Sequence, residues 1–198
     1  MFQVRIHGRG GQGVVSAAEM LSMAAFDEGR HAQAFPSFGS ERMGAPVMAF
    51  CRMDTKEIRL REPVMQPDAL IIQDPTLLHQ VDLFSGLAPN GFILINSTRS
   101  FEELGISDFV ANFPAGHVRS VAASELAMKF VGRPLPNAAL LGGFAAITGQ
   151  LTFDAVAKAI HEKFPGKVGE NNVAAALAAF QAAGGVSAGD STKETAHA

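Results

Sequence analysis

The feature that most constrains the fold of this chain is a glycine-rich turn between a strand pattern and a helix pattern. Apolar and polar residues alternate from Phe2 to His7, as in a strand with one buried face. The turn Gly8-Arg9-Gly10-Gly11-Gln12-Gly13 follows directly. From Gly13 to Glu28 the polar residues then fall on one narrow stripe of a helix. A strand, a tight turn and a helix in this order predict an α/β protein.

Further strand patterns continue this alternation along the first half of the chain. Four short apolar-rich segments predict strands, at His31 to Phe35, Asp68 to Gln73, Gly91 to Asn96 and His117 to Val121. The segment Pro75 to Val81 is predicted to be helical. The runs Ala45 to Met53 and Lys56 to Leu60 flank Asp54-Thr55, and together they predict a β-hairpin.

The second half of the chain is predicted to be helical. The helices are placed at Ser124 to Val131, Asn137 to Thr148, Thr152 to Phe164 and Asn172 to Ala183. The segment Ala138 to Ile147 has no polar side chain and contains Gly142 and Gly143. Each of these glycines costs about 1 kcal/mol relative to alanine in a helix, which indicates close approach of another backbone or a partner surface. Together with the mostly apolar helix after the glycine turn, this segment predicts a large subunit interface.

Length and composition limit the domain organisation and the classes of function. The 198 residues predict one domain over 1–183, and the small polar residues of 184–198 predict a disordered tail. A net charge of −3 gives no electrostatic footprint for nucleic acid or an anionic membrane. The single Cys51 excludes an internal disulfide and cannot alone hold an iron–sulfur cluster. With no signal-peptide pattern at its start and no long apolar run, the chain is expected to be cytoplasmic.

The glycine turn fits three interpretations. Gly8, Gly10 and Gly13 match the dinucleotide-binding pattern, and helix N–H groups after such a turn attract phosphate. A nicotinamide or flavin site also needs a carboxylate at the end of the second strand, and Ala32 to Pro36 has none. A different phosphate-bearing ligand, held by backbone N–H groups and Arg9, and a purely structural turn therefore remain as alternatives.

Other candidate sites are weaker. The loop Phe35 to Pro46 is either a binding loop or a long turn packed on another subunit. The histidines are too widely spaced to predict metal coordination, and Cys51 has the apolar neighbours of a core residue. No catalytic triad or nucleophile motif is present, so no catalytic residue is assigned.

Several motifs together resemble one known family. The segments IHGRGGQGVVSAAEML, QAFPSFGSERMGAPVMAF, QDPTLL, RPLPNAALLGGFAAITG and KFPGKVGENN occur in this order. In sequence and spacing they resemble the gamma subunit of 2-oxoacid:ferredoxin oxidoreductases, the pyruvate synthase group. The resemblance covers roughly Met1 to Ala183 and leaves out only the tail.

The resemblance implies a three-layer α/β/α domain with a mixed, mostly parallel sheet, in a complex with alpha, beta and delta-type subunits. Such complexes convert a 2-oxoacid and coenzyme A to an acyl-CoA and carbon dioxide, and they pass electrons to ferredoxin. Thiamine diphosphate and the iron–sulfur clusters are expected on the partner subunits, and no cofactor on this chain alone. The resemblance places the coenzyme A phosphates near the turn, with the candidate contacts Gly8, Arg9, Gly10, Gly11, Gln12 and Gly13.

Three alternatives to this function stay open from the sequence. A complex that oxidises an aromatic 2-oxoacid such as phenylglyoxylate, or that reduces another acceptor, would have a similar gamma subunit. A stand-alone NAD- or FAD-binding oxidoreductase and a purely structural spacer are the alternatives from other classes.

Overall fold

The computed structural model describes residues 1–37 and 43–185. Its strands are β1 Phe2–Arg9, β2 His31–Pro36, β3 Pro46–Asp54, β4 Ala69–Ile72, β5 Phe92–Asn96 and β6 Val118–Val121. They form one sheet in the spatial order β2-β3-β1-β4-β5-β6. β1, β4, β5 and β6 run parallel, while β3 is antiparallel to both β1 and β2. The predicted α/β fold with a mixed, mostly parallel sheet is confirmed.

One face of the sheet is covered by a layer of helices. The helices of the chain are α1 Val14–Asp27, α2 Ser107–Val110, α3 Ala123–Val131, α4 Asn137–Thr148, α5 Phe153–Lys163 and α6 Lys167–Ala182. All except α2 contribute to one continuous apolar core with the sheet residues Val4, Ile6, Ile71 and Leu94. This layer places the amino ends of α1 and α4 next to each other, at the carboxyl end of β1.

The other face of the sheet is covered by shorter elements. Successive side chains of a strand point to opposite faces, and Ile72 and Ile93 accordingly belong to a second apolar cluster. The 3-10 helix Pro75–His79, the single-turn α2 and the segments around them cover this cluster, largely with leucine and phenylalanine side chains. The third layer is therefore thin.

The helix α4 lies largely inside the chain, so its apolar sequence is explained by packing within the chain and does not require the subunit interface inferred from it. Its residues from Asn137 to Ala145 are buried by other elements of the same chain. A Cβ atom at Gly142 would collide with the backbone carbonyl of Ala176 in α6. The predicted close approach of another backbone is thus confirmed, and the backbone belongs to α6. An apolar helix in a one-domain chain indicates a central position as readily as a partner surface.

The predicted hairpin between residues 45–53 and 56–60 is wrong. β3 pairs with β1 on one side and with β2 on the other. Both of its edges are therefore occupied, and no edge remains for Lys56 to Leu60, a segment that is mostly exposed and forms no strand.

The start of the last helix also differs from the sequence prediction. α6 begins at Lys167 and not at Asn172, because Asn172 lies inside the helix and donates from Nδ2 to the Val168 carbonyl over 2.9 Å. Of the predicted tail, residues 186–198 lie outside the described part. Over the residues that are described, no helix is long and apolar enough to cross a membrane.

Arg5 and His7 join the thin layer to the sheet. Arg5 donates from Nη2 to the carbonyls of Leu83 and Ser85 over 2.8 and 2.7 Å, and from Nε to His7 Nε2 over 3.0 Å. Burial, with the charge of Arg5, lowers the pKa of His7 from 6.5 to about 3. His7 is therefore neutral. Its Nε2 accepts the hydrogen bond from Arg5, which requires that this nitrogen carry no proton.

The packing of α4 on α6 predicts opposite behaviour for two adjacent glycines. Gly142→Ala should lower the free energy of unfolding by about 1–3 kcal/mol, because the Ala176 backbone cannot move aside without separating the helices. Gly143→Ala is the matched control, since its Cβ atom would meet only the flexible end of Leu94 at 3.1 Å, while the helix propensity improves. Urea unfolding of the purified chain measures both, and equal losses would contradict the proposed backbone contact.

The lowered pKa of His7 predicts acid sensitivity. The unfolded chain takes up a proton at His7 as the pH falls through 6.5, whereas the folded chain resists until about pH 3. The free energy of unfolding should therefore fall by up to about 1.4 kcal/mol per pH unit in this window. His7→Gln should flatten the dependence, as measured by urea unfolding between pH 7 and about pH 4. The control is His31→Gln, at an exposed histidine. If it flattened the pH dependence of the free energy of unfolding as much as His7→Gln does, the assignment of this dependence to His7 would be contradicted.

Candidate functional site

The candidate site is the turn between β1 and α1. β1 continues through Gly8 and Arg9, which pair with Val47 and Pro46 of β3. The turn proper is therefore confined to the next four residues, and α1 begins at Val14. The predicted glycine turn between a strand and a helix is confirmed.

The glycines are required by space and by backbone conformation. A Cβ atom at Gly8 would lie 2.6 Å from Val14 Cγ2, and one at Gly13 would collide with the side-chain amide of Asn137 at the start of α4. Gly11 and Gly13 have φ values of 93° and 71°, a region that side chains rarely adopt. The glycines thus let α1 start directly behind the sheet and against α4.

The first turn of α1 presents backbone donors that the helix does not use. Ala17 is the first residue of α1 whose N–H donates back along the chain, to the Gly13 carbonyl over 3.0 Å. The N–H groups of Val14, Val15 and Ser16 therefore have no acceptor within the helix, and Gly13 supplies no capping side chain. With the positive end of the helix dipole, these groups form an arrangement that attracts anions.

A pocket is lined by the residues that carry these donors. It has a volume of about 160 Å³ and is lined by residues of β1, the turn, the first turn of α1 and β3, namely Arg9, Gly10, Gly11, Gly13, Val14, Val15, Ser16 and Val47. Since one water occupies about 30 Å³ of the liquid, the pocket has room for a group of phosphate size. Four of the six predicted contact residues line it, namely Arg9, Gly10, Gly11 and Gly13, whereas Gly8 and Gln12 do not.

Arg9 lines the pocket, but its guanidinium is bound mainly to other protein groups. Nε forms an ion pair with Asp74 Oδ2 at 3.1 Å, and Nη1 donates to the Gly44 carbonyl over 3.1 Å. Nη2 donates to Thr76 Oγ1 over 2.8 Å and to Gln80 Oε1 over 2.9 Å. The side chain thus connects β1, the residues just before β3 and the 3-10 helix after β4.

Asp74 is the residue of the site that sequence reasoning missed. Its Oδ2 accepts from Arg9 and, over 2.9 Å, from Gln12 Nε2, while Oδ1 accepts from the Thr76 N–H over 3.0 Å. Burial acts to raise the pKa of Asp74, but the hydrogen bonds from Thr76 and Gln12 and the charge of Arg9 outweigh it and lower the pKa. The available signal was a carboxylate directly after a buried strand and before Pro75 and Thr76, a pattern typical of a helix cap.

Gln12 stabilises the turn through hydrogen bonds of its side chain and does not line the pocket. Its Oε1 accepts from the Arg9 N–H over 2.8 Å, while its Nε2 donates to Asp74. The residues before β3 are joined to the same turn, since Gly10 donates to the Ala45 carbonyl over 2.9 Å and Gly44 donates to the Gly10 carbonyl over 3.1 Å. Of the predicted binding loop Phe35 to Pro46, residues 38–42 lie outside the described part.

A buried polar group lies behind the turn. Asn96 donates from Nδ2 to the Gln73 carbonyl and to Ser124 Oγ, each over 2.8 Å, and these bonds tie the ends of β4 and β5 to α3. Gln73 is 1% exposed, and its side-chain amide has no hydrogen-bond partner among the described residues. Its Cβ lies 3.2 Å from the position that a Cβ atom on Gly8 would take. The region behind the turn is thus polar as well as closely packed.

The sheet order does not suit a dinucleotide. In a dinucleotide site, the strand beside β1 runs parallel to it and ends in a carboxylate that binds the ribose. Here the strand that follows α1, β2, is not a neighbour of β1 but lies beyond the antiparallel β3, at the edge of the sheet. The parallel neighbour of β1 is β4, and the carboxylate that follows it, Asp74, is bonded to Arg9 and Gln12 of the turn itself.

The described residues outside the turn show no further catalytic arrangement. Burial raises the pKa of the Cys51 thiol to about 12, although the charge of Arg30 opposes this, so the thiol is neither a ready nucleophile nor a metal ligand. Within residues 1–37 and 43–185, no group of three His, Cys, Asp or Glu side chains is placed to hold a metal ion.

Comparison with protein families gives one match over most of the chain. Residues 3–182 match the family model described as pyruvate ferredoxin/flavodoxin oxidoreductase. The chain is 43% identical over 181 residues to pyruvate synthase subunit PorC of Methanothermobacter thermautotrophicus, covering 91% of this chain and 95% of that one. It is 44% identical over 180 residues to the pyruvate/ketoisovalerate oxidoreductases common subunit gamma of Thermococcus kodakarensis, covering 91% and 96%.

Solved structures with a similar fold agree with these relatives. Pyruvate oxidoreductase subunit PORC of Thermotoga maritima superposes with a TM-score of 0.76 and 33% identity, covering 91% of this chain and 96% of that one. The 2-oxoglutarate:ferredoxin oxidoreductase of Magnetococcus marinus, solved with 2-oxoglutarate, coenzyme A and succinyl-CoA bound, has a TM-score of 0.65 at 16% identity. The match covers 92% of this chain and 31% of that one, and it shows a shared fold.

The contact between Gly13 and α4 predicts different costs for two glycines with positive φ. Gly29→Ala should cost about 1 kcal/mol, because φ is 76° there but the space around it is open. Gly13→Ala should cost at least about 1 kcal/mol more, since the new methyl group also collides with buried Asn137. Urea unfolding measures the difference, and adding Asn137→Ala to the Gly13 variant should reduce the extra cost. Equal costs at positions 13 and 29 would contradict the close contact.

Proposed function

Because the chain belongs to the pyruvate ferredoxin/flavodoxin oxidoreductase family and is a gamma subunit of a 2-oxoacid:ferredoxin oxidoreductase, we propose that it binds the phosphates of coenzyme A at its glycine turn. The complex would oxidatively decarboxylate a pyruvate-like 2-oxoacid with coenzyme A, forming acyl-CoA and carbon dioxide. The electron pair released would pass to ferredoxin.

One observation carries the proposal. The N–H groups of Val14, Val15 and Ser16 have no acceptor among the described residues, and these three residues line a pocket of about 160 Å³ at the positive end of α1. Backbone donors fixed in one orientation bind a phosphate without the cost of ordering flexible side chains. The Magnetococcus protein, which shares the fold, contains coenzyme A in its solved structure. That likeness extends to the fold alone, so the pocket geometry remains the main support.

The bond-making chemistry is assigned to partner subunits. Thiamine diphosphate would supply the carbanion chemistry on the 2-oxoacid, and iron–sulfur clusters would carry the electrons, both on alpha, beta or delta-type chains. On this chain the only cysteine is buried, and the described residues offer no metal-binding group. What this subunit contributes is assembly and the orientation of the coenzyme A phosphates.

The names of the relatives bear on substrate choice. The Thermococcus relative is named as a gamma subunit common to pyruvate and ketoisovalerate oxidoreductases. A subunit shared by two such enzymes does not determine which 2-oxoacid is used. We therefore place substrate selection on the other chains, and the role of this chain is the same for each 2-oxoacid.

A carboxylate placed in the pocket tests the proposal. Ser16→Glu should raise the KM for coenzyme A about tenfold or more, because a like charge beside the phosphates costs at least about 1.4 kcal/mol. The kcat at saturating coenzyme A should be unchanged. A glutamate in the first turn of a helix favours folding, so the loss would not be due to unfolding.

The matched control is Ser22→Glu, the same change further along α1, away from the pocket. Both variants are assayed in the assembled complex, with subunit content checked by gel filtration. An unchanged KM for coenzyme A in the Ser16 variant, with normal assembly, would overturn the assignment and leave the turn with a structural role.

A further inference from the structure

The guanidinium of Arg9 has little capacity left for a ligand. An arginine has five N–H groups, and in Arg9 four hydrogen bonds to protein acceptors use Nε, Nη1 and Nη2. Its charge is also balanced by Asp74, in an ion pair whose side chains are 22% and 14% exposed. A phosphate that took Arg9 as a ligand would have to displace these bonds.

The same bonds hold three separate parts of the chain together. Arg9 lies at the end of β1, Gly44 precedes β3, and Thr76 and Gln80 belong to the 3-10 helix and its end. Asp74 also holds Gln12, whose other side-chain atom accepts the Arg9 backbone N–H. The network therefore fixes both the entry to the turn and its middle.

We propose that Arg9 and Asp74 form a clamp that positions the glycine turn, and that Arg9 does not itself bind the anion. This inference rests on the proposed function for its link to coenzyme A. The clamp holds the backbone N–H groups of the first turn of α1 in place before the ligand arrives. Anion binding is then carried by backbone donors and the helix dipole, with Arg9 acting through them.

Lysine cannot replace arginine in this arrangement. The four acceptors around Arg9 are bound by the planar, forked set of N–H donors of its guanidinium, through Nε, Nη1 and Nη2. A lysine keeps the charge but has one nitrogen, and it cannot reach all four acceptors at once. Arg9→Lys thus separates the role of the charge from the role of the geometry.

Asp74→Asn and Arg9→Lys, each in the assembled complex, test the clamp. Both should raise the KM for coenzyme A about fivefold or more with little change in kcat, because both loosen the turn. If Arg9 were a phosphate ligand, Asp74→Asn would release its charge and lower the KM, and Arg9→Lys would keep most of the affinity. Either of those results would overturn the proposal.

Matched controls carry the same chemical changes elsewhere. Asp27→Asn removes the ion pair with Lys158 between α1 and α5, and Arg59→Lys alters an exposed pair with Glu57. Neither residue lines the pocket, so the KM for coenzyme A should stay at the value of the unmodified complex. If the KM for coenzyme A rose as much in the control variants as in the test variants, a specific role of the clamp would be contradicted.

Hydrogen exchange tests the clamp without coenzyme A. The amides of Gly10 and Gly44 donate to Ala45 and Gly10, and in both clamp variants they should exchange about tenfold faster or more. Amides of the central β4 should not change. Unchanged exchange at Gly10 and Gly44 would overturn the clamp. Faster exchange, with Ser16→Glu leaving the KM unaltered, would uphold the clamp and reject the coenzyme A assignment instead.

Discussion

The arrangement of the whole molecule depends on how closely the first turn of α1 approaches the end of β1. At Gly8 there is no room for a Cβ atom between the sheet and Val14, and at Gly13 there is none between α1 and Asn137. This contact sets α1 directly on the sheet, beside the start of α4. It also leaves the first N–H groups of α1 at an open pocket, since no side chain at Gly13 caps them.

The helix layer follows a second contact of the same kind. Gly142 lets α4 meet the backbone of α6 at Ala176, and α4 is buried by its own chain from Asn137 to Ala145. The opposite face of the sheet has only short elements, which Arg5 ties to β1 through the Leu83 and Ser85 carbonyls. The two faces of one sheet are thus held by different means, one by close backbone packing and the other by a buried arginine.

What the sequence could predict depended on how local each feature is. The β1 strand, the turn and α1 are encoded within residues 2–28 by alternation, glycines and helical periodicity, and all three were predicted. The hairpin was wrong because alternation within a segment does not show which strand it pairs with: β3 pairs with β1 and β2, and not with the segment Lys56 to Leu60 that follows it. Asp74 was missed for the same reason, as it lies 65 residues from Arg9 along the chain. The apolar sequence of α4 could not distinguish a central helix from an interface.

The balance of charge in the turn explains how a chain whose described residues show no catalytic arrangement outside the turn would serve a reaction. A free arginine at the pocket would bind many anions, with an affinity that depends strongly on salt. Pairing Arg9 with Asp74 removes that general attraction and leaves donors whose positions are fixed by the backbone. Fixed donors favour a ligand by its geometry as well as by its charge. A subunit of this kind can therefore orient one end of a long substrate while its reactive end reaches chemistry on another chain.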